Sequence, residues 1–360
     1  MNVDTPPEMS VGQSRAKKTF SLWKILFPVF IGIAVVIWMF SNDAKSHNIA
    51  GQIADIQFTP CVIASLALGC VFMFGRDFGL AWRFRLLTDG DLKWKQAFKV
   101  TYLVEFTSAI TPSAVGGSAL GMLYLNREGI EIGRATTLML TTLFFDELFL
   151  VVMAPLMVML TRSDSIFDIG SSSFAFGLEL TFWLIYVVIA LWTLILFLGI
   201  IVWPHTIRLF LSKLFSLPLL RRWKRKVEAM GDNIVETSAV LRRKPFLFWV
   251  KGFAATMLTW FSRYLVVNAI FMAFVPGDIS QQWLILARQL VVWVLLMVSP
   301  TPGGAGLSEW LFTEVYGSLI PTAALALFMA VCWRLISYYV YLIIGSCIVP
   351  KWLKDSFSKK

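Results

Sequence analysis

Apolar residues in this chain run in long blocks instead of alternating with polar ones. Six blocks are long enough to cross a bilayer: 25–40, 58–75, 135–160, 182–203, 246–275 and 322–349. The first two are short and need flanking residues to span; the other four are comfortably long. Two further apolar stretches, 101–126 and 282–320, are each interrupted by the same punctuation. The first contains Thr111-Pro-Ser-Ala-Val-Gly-Gly-Ser118 and the second Thr301-Pro-Gly-Gly-Ala-Gly-Leu-Ser308, both of the form T-P-x-x-x-G-x-S. Proline withholds a backbone N–H and glycine weakens a helix by about 1 kcal/mol relative to alanine, so each motif breaks the helix that carries it. In lipid, such breaks persist only where the freed backbone is buried in protein or lines a cavity.

Loop charge orients the blocks. Basic residues collect before the first span (Arg15, Lys17, Lys18, Lys24), in 76–100 (Arg76, Arg83, Arg85, Lys93, Lys95, Lys99), in 204–245 and in the tail (Lys351, Lys354, Lys359, Lys360). By contrast, 41–57 holds only Lys45, 161–175 only Arg162, and 276–281 no basic residue. The alternation puts both termini in the cytoplasm. It also requires 101–126 to enter and leave from the cytoplasm and 282–320 from outside. The expected fold is an all-α polytopic transmembrane bundle of two inverted repeats, each with a broken or re-entrant hairpin. The competing topology sends 282–298 fully across and 303–320 back, giving eight spans.

The expected organisation is a cytoplasmic leader 1–20, one integral membrane domain 21–350 and a cytoplasmic tail 351–360. The pseudo-repeats run over about 21–160 and 176–350, with the basic cytoplasmic loop 204–245 inside the second. Composition agrees: 58% of the residues are hydrophobic and 15% charged, with a mean hydropathy of +0.72, beyond the range of ordinary soluble domains. The net charge of +10 resides in loops, which argues against nucleic acid as a partner. The run Arg221-Arg-Trp-Lys-Arg-Lys226 suits anionic lipid head groups.

Cys61, Cys70, Cys332 and Cys347 lack metal or redox spacing, and His47 and His205 are far apart, so no metal site and no cofactor is expected. No Ser/His/Asp set or nucleotide motif appears, so no catalytic residue is assigned. The candidate chemistry is intramembrane charge: Glu105, Asp146, Glu147, Arg263, Arg288, Glu309, Glu314 and Arg334. A charge at mid-depth costs at least about 2.5–3.5 kcal/mol, so these groups face a partner or a cavity. Asp146 and Arg334 stand 11 and 12 residues into their spans, both about 17 Å deep at ~1.5 Å per residue. Their opposite charges at equivalent depth suggest a pair across the repeats, structural or functional. Glu309 lies in the first turn after the second break, where it either caps that helix or faces a cationic substrate group. The helix N-termini after Gly117 and Gly306 offer N–H groups to a phosphate. Arg288 and Arg263 are candidates for matching positive charge, with snorkelling to the interface the other reading of Arg263.

The stretch from Thr111 to Asp146, with Pro112, Gly116, Gly117, Arg127, Gly129 and Asp146, resembles the first signature of the lysylphosphatidylglycerol synthase transmembrane, or flippase-like, family. The second signature, P-x-P-G-G-x-G-x-x-E, is present as Pro300, Pro302, Gly303, Gly304, Gly306 and Glu309, and Arg334 with Gly345 matches the last span. The resemblance implies a multi-pass inner-membrane protein that moves a phospholipid, aminoacylated or other, or a lipid-linked sugar between leaflets. It implies the stand-alone form without the aminoacyl-transfer domain, acting alone, as a homo-oligomer or beside a separate transferase. The substrate-binding set expected from these readings is Pro112, Gly116, Gly117, Asp146, Arg288, Pro302, Gly303, Gly304, Gly306, Glu309 and Arg334. The alternatives are a membrane subunit or assembly partner of a lipid- or glycan-modifying enzyme, and an intramembrane lipid-modifying enzyme.

Overall fold

The computed structural model describes residues 57–111, 115–161, 163–169, 172–216 and 224–358, and among them every regular element is helical. The first expected span, 25–40, the leader and Pro112 lie outside the described residues. In chain order the helices longer than one turn are α1 Pro60–Leu87, α2 Trp94–Ile110, α3 Val115–Arg127, α4 Ile132–Thr161, α5 Ser172–Phe197, α6 Pro204–Leu214, α7 Lys224–Arg242, α8 Phe246–Phe274, α9 Ile279–Leu296, α10 Leu307–Tyr316, α11 Ala323–Arg334 and α12 Val340–Ser358. A π-helical turn, Leu335–Tyr339, joins α11 to α12. Six stretches are long and apolar enough to cross a membrane: Pro60–Leu87, Ile132–Thr161, Ala175–Phe197, Phe246–Phe274, Ile279–Leu296 and Ala323–Pro350.

Local chemistry sets the ends. The Thr59 hydroxyl accepts from the Val62 N–H at 3.4 Å and Pro60 opens α1, where a missing N–H costs nothing. Thr322 caps α11 in the same way through the Leu325 N–H. Asp278 caps α9, accepting from the Gln281 N–H and the Ser280 hydroxyl, both at 2.8 Å. Those two donors stabilise its anion and hold its pKa below the ordinary value.

Two expectations change here. The second span does not stop at 75: α1 continues through Arg76, Asp77, Arg83 and Arg85 to Leu87. Arg76 and Arg83 are each 1% exposed, so they are buried intramembrane residues and not loop charges. The stretch 204–245, read as a loop, is mostly helical. Its helices α6 and α7 pack on each other, joined by an Arg208–Asp232 ion pair at 2.6 Å, and α7 also rests on α4.

α1 and α8 form the most extensive helix pair. A Cβ added to Gly69 would meet Ala269, one at Gly75 would meet Ser262, and one at Gly79 would meet the Ala255 carbonyl at 2.9 Å. The numbers rise along α1 as they fall along α8, so the two helices run antiparallel. Small residues along the seam let the backbones approach, the usual basis of helix association in lipid. α5 lies at the periphery, presenting Leu184, Val187, Val188, Leu191, Leu194 and Ile195 outward. An outward apolar face of this kind suits acyl chains.

Both interrupted segments are pairs of helices: α2 ends at Ile110 and α3 begins at Val115, while α9 ends at Leu296 and α10 begins at Leu307. Two apolar clusters flank them. One gathers α2, α3, the start of α4 and parts of α12; the other gathers the end of α4, α8, α9, α10 and α11.

Candidate functional site

A cavity of about 250 Å³ opens where the two clusters and both breaks meet. Its wall takes residues from both sides: Phe84, Ala109, Met139 and Tyr338 from the first cluster, Leu150, Trp260, Trp333 and Tyr341 from the second. Into this apolar wall are set four arginines, Arg76, Arg83, Arg263 and Arg334, and three acids, Glu105, Asp146 and Glu147. Thr111, Thr301, Gly303 and Gly304 bring both breaks to its edge.

The charges are mostly matched within the protein. Arg83 grips Asp146 with both Nη atoms, at 2.6 and 2.8 Å, and also donates to the Thr256 hydroxyl at 3.0 Å. The Trp260 indole N–H donates to the same carboxylate at 2.8 Å. Arg76 pairs with Glu105 and, at 3.1 Å, with Asp77, which also accepts from the Tyr341 hydroxyl at 2.6 Å. Arg334 pairs through Nε with Glu309 at 3.0 Å and lies 3.8 Å from the centre of the Tyr338 ring. Bidentate and hydrogen-bonded pairing is what lets such ions remain charged away from water. Arg263 differs: its guanidinium carbon sits 3.8 Å from the Trp293 ring centre and 5.7 Å from that of Trp260. Among the described residues no carboxylate lies within ion-pair distance of it.

The expected Asp146–Arg334 pair is not formed. Both side chains line the cavity, but Asp146 belongs to Arg83 and Arg334 to Glu309. Depth alone suggested the pair; the deciding partners were the α1 arginine, masked by its assignment to a loop, and a carboxylate across the second break. Arg288 is also corrected. It faces away from the cavity and binds four acceptors: the Val315, Ser165 and Asp168 carbonyls and the Ser318 hydroxyl. Its work is to tie α9 to α10 and to the segment after α4.

At the second break, Gly303, Gly304 and Gly306 take φ of +57°, +69° and +86°, a region costly for side-chain-bearing residues. A Cβ on Gly303 would also run into the Tyr338 ring. Pro302 is buried, and its carbonyl accepts from the Ala305 N–H at 3.1 Å within the turn. Glu309 is 1% exposed and does not reach the cavity. Its carboxylate accepts from the Gly306 N–H and the Ser308 hydroxyl, both at 2.8 Å. The capping account of Glu309 therefore holds, and the helix end expected to meet phosphate already carries the protein's own anion.

The first break is built otherwise. α3 begins at Val115, so Gly116 and Gly117 lie inside its first turn, not before it. A Cβ on Gly117 would strike Ser108 and come within 2.9 Å of the Val104 carbonyl, so this glycine serves the close approach of α3 to α2. Near the end of α2 the Ala109 carbonyl accepts from the Tyr338 hydroxyl at 3.0 Å. Tyr338, on the π-helical turn, thus touches both breaks.

Reading the sequence missed Arg76, Asp77 and Arg83. The signal was present as apolar residues continuing to Leu87 between the charges, together with the Gly75/Gly79 spacing on one helix face.

Comparison with known proteins gives a consistent picture. A family model described as "Lysylphosphatidylglycerol synthase TM region" matches residues 25–345. A "UPF0104 membrane protein" of Archaeoglobus fulgidus is 23% identical over 309 residues, spanning 82% of this chain and 89% of that protein.

Proposed function

The chain belongs to the lysylphosphatidylglycerol synthase TM region family, and we propose that it carries a phospholipid, aminoacylated or other, or a lipid-linked sugar between the leaflets of the cell membrane. The observation that carries this reading is the charged cavity at the meeting point of both helix breaks. A lipid crossing a bilayer needs a polar path for its head group while its acyl chains stay in lipid. In this reading, the four arginines and three carboxylates set in the cavity wall line that path. The antiparallel run of α1 against α8 supports two upside-down halves, because each of these spans leads into one broken pair. Two such halves, rocking against each other around a shared site, would expose it to either leaflet in turn. In this reading both termini are cytoplasmic, and the α6–α7 pair lies against anionic head groups on that side.

The test is leaflet exposure of labelled phospholipid and of labelled polyprenyl-phosphate sugar in proteoliposomes. Wild type should accelerate transfer of one class over empty liposomes. Thr142→Leu, which fills the cavity wall at a hydroxyl without a hydrogen-bond partner, should abolish that acceleration while leaving the melting temperature near wild type. Extracted lipids should be chemically unchanged, which separates transport from an intramembrane enzyme. No acceleration for either lipid would replace this reading by that of a partner subunit.

A further inference from the structure

Arg263 stands apart from the other cavity charges. Arg76, Arg83 and Arg334 each have a carboxylate at hand, and Glu105, the acid that also faces this cavity from α2, is committed to Arg76. Arg263 lies well inside the 29-residue span α8. There its guanidinium lies over the Trp293 ring and is flanked by Trp260. The guanidinium thus lies over an indole ring, and its N–H groups have no protein acceptor among the described residues. Aromatic faces hold a cation in place without neutralising it.

A fixed guanidinium with a free donor edge matches the geometry of a phosphate, whose oxygens accept a forked pair of N–H groups. With the cavity read as the lipid site, that phosphate is the one carried by the lipid. We infer that Arg263, held on the indole faces of Trp260 and Trp293, binds the phosphate group of the lipid that enters the cavity. The inference rests on the reading of the cavity as the lipid site, and it says which atoms of the lipid the cavity recognises. Two lipid classes carry that chemistry: a phosphodiester glycerolipid and a prenyl phosphate.

Binding to the purified full chain in detergent tests it, with three short-chain probes: dioctanoyl phosphatidylglycerol, farnesyl phosphate and dioctanoylglycerol, which lacks phosphate. Wild type should bind at least one phosphate probe tenfold or more tighter than dioctanoylglycerol. The preferred probe identifies the phosphodiester or the prenyl class. Arg263→Gln should weaken the phosphate probe at least tenfold and leave dioctanoylglycerol unchanged, with Arg263→Lys between the two. If Arg263→Gln does not fold, the wild-type and Arg263→Lys measurements stand alone. Equal wild-type affinity for all three probes, or phosphate binding unmoved in a folded Arg263 variant, overturns the assignment. No transfer between leaflets is measured, so phosphate-selective binding by a chain that fails in proteoliposomes retires the carrier reading and keeps this one.

Discussion

The two broken helix pairs carry the same T-P-x-x-x-G-x-S punctuation, yet they hold themselves together in different ways. At the second break, three glycines with positive φ wind the chain through 303–306, and Glu309 closes the following helix while neutralising Arg334. At the first break, Gly117 lets α3 lie against α2, and a side chain from elsewhere, Tyr338, reaches a carbonyl near the end of α2. The second break winds on glycine backbone beside a buried ion pair; the helices that flank the first are held by close packing and a borrowed hydroxyl. A shared motif therefore identifies where helices stop, without saying what makes stopping tolerable.

Substitutions can widen or collapse that difference. The largest loss is expected for Glu309→Ala, which removes the cap of α10 and strands the Arg334 guanidinium among apolar neighbours. Removing one partner of a buried pair costs about 3–5 kcal/mol, read as a sharp fall in folded yield and melting temperature in detergent. Gly303→Ala should follow at about 2–4 kcal/mol, combining a left-handed backbone with a collision at Tyr338. Tyr338→Ala in the same chain should relieve the collision, so a double-mutant cycle should show strong coupling. If Gly303→Ala melts with wild type, the tight second turn does not require glycine there.

Smaller effects belong to the first break. Gly117→Ala should cost about 1–3 kcal/mol, because Ser108 can rotate away but the Val104 carbonyl cannot. Tyr338→Phe, which keeps the ring over Arg334 and loses the bond to the Ala109 carbonyl, should cost about 1 kcal/mol. A Tyr338→Phe loss as large as that of Glu309→Ala would erase the distinction between the two breaks.

The difference also explains what could be read in advance. Five spans and the positions of both breaks were legible, because apolar block length, proline and glycine act locally. The competing full crossing of 282–298 is compatible with α9, Ile279–Leu296, which is long enough to span. The end of α1 was misjudged, because Arg76 and Arg83 look like loop residues until Glu105 and Asp146 are seen to receive them. Asp146 and Arg334 were correctly placed at a polar interior and wrongly paired with each other.

By itself the sequence determined the class: an apolar, helical membrane protein whose two glycine-proline breaks lie in comparable places and whose acids and arginines must find shelter inside. These follow from transfer free energies and backbone sterics, which each residue carries wherever it goes. Only the tertiary structure decided which arginine meets which carboxylate, that Glu309 caps a helix instead of facing the cavity, and that Arg263 rests on two indoles without an acid. Those outcomes depend on how separate helices pack, joining Arg83 to Asp146 across 63 residues, Arg334 to Glu309 across 25 and Tyr338 to Ala109 across 229, and no local pattern encodes that proximity.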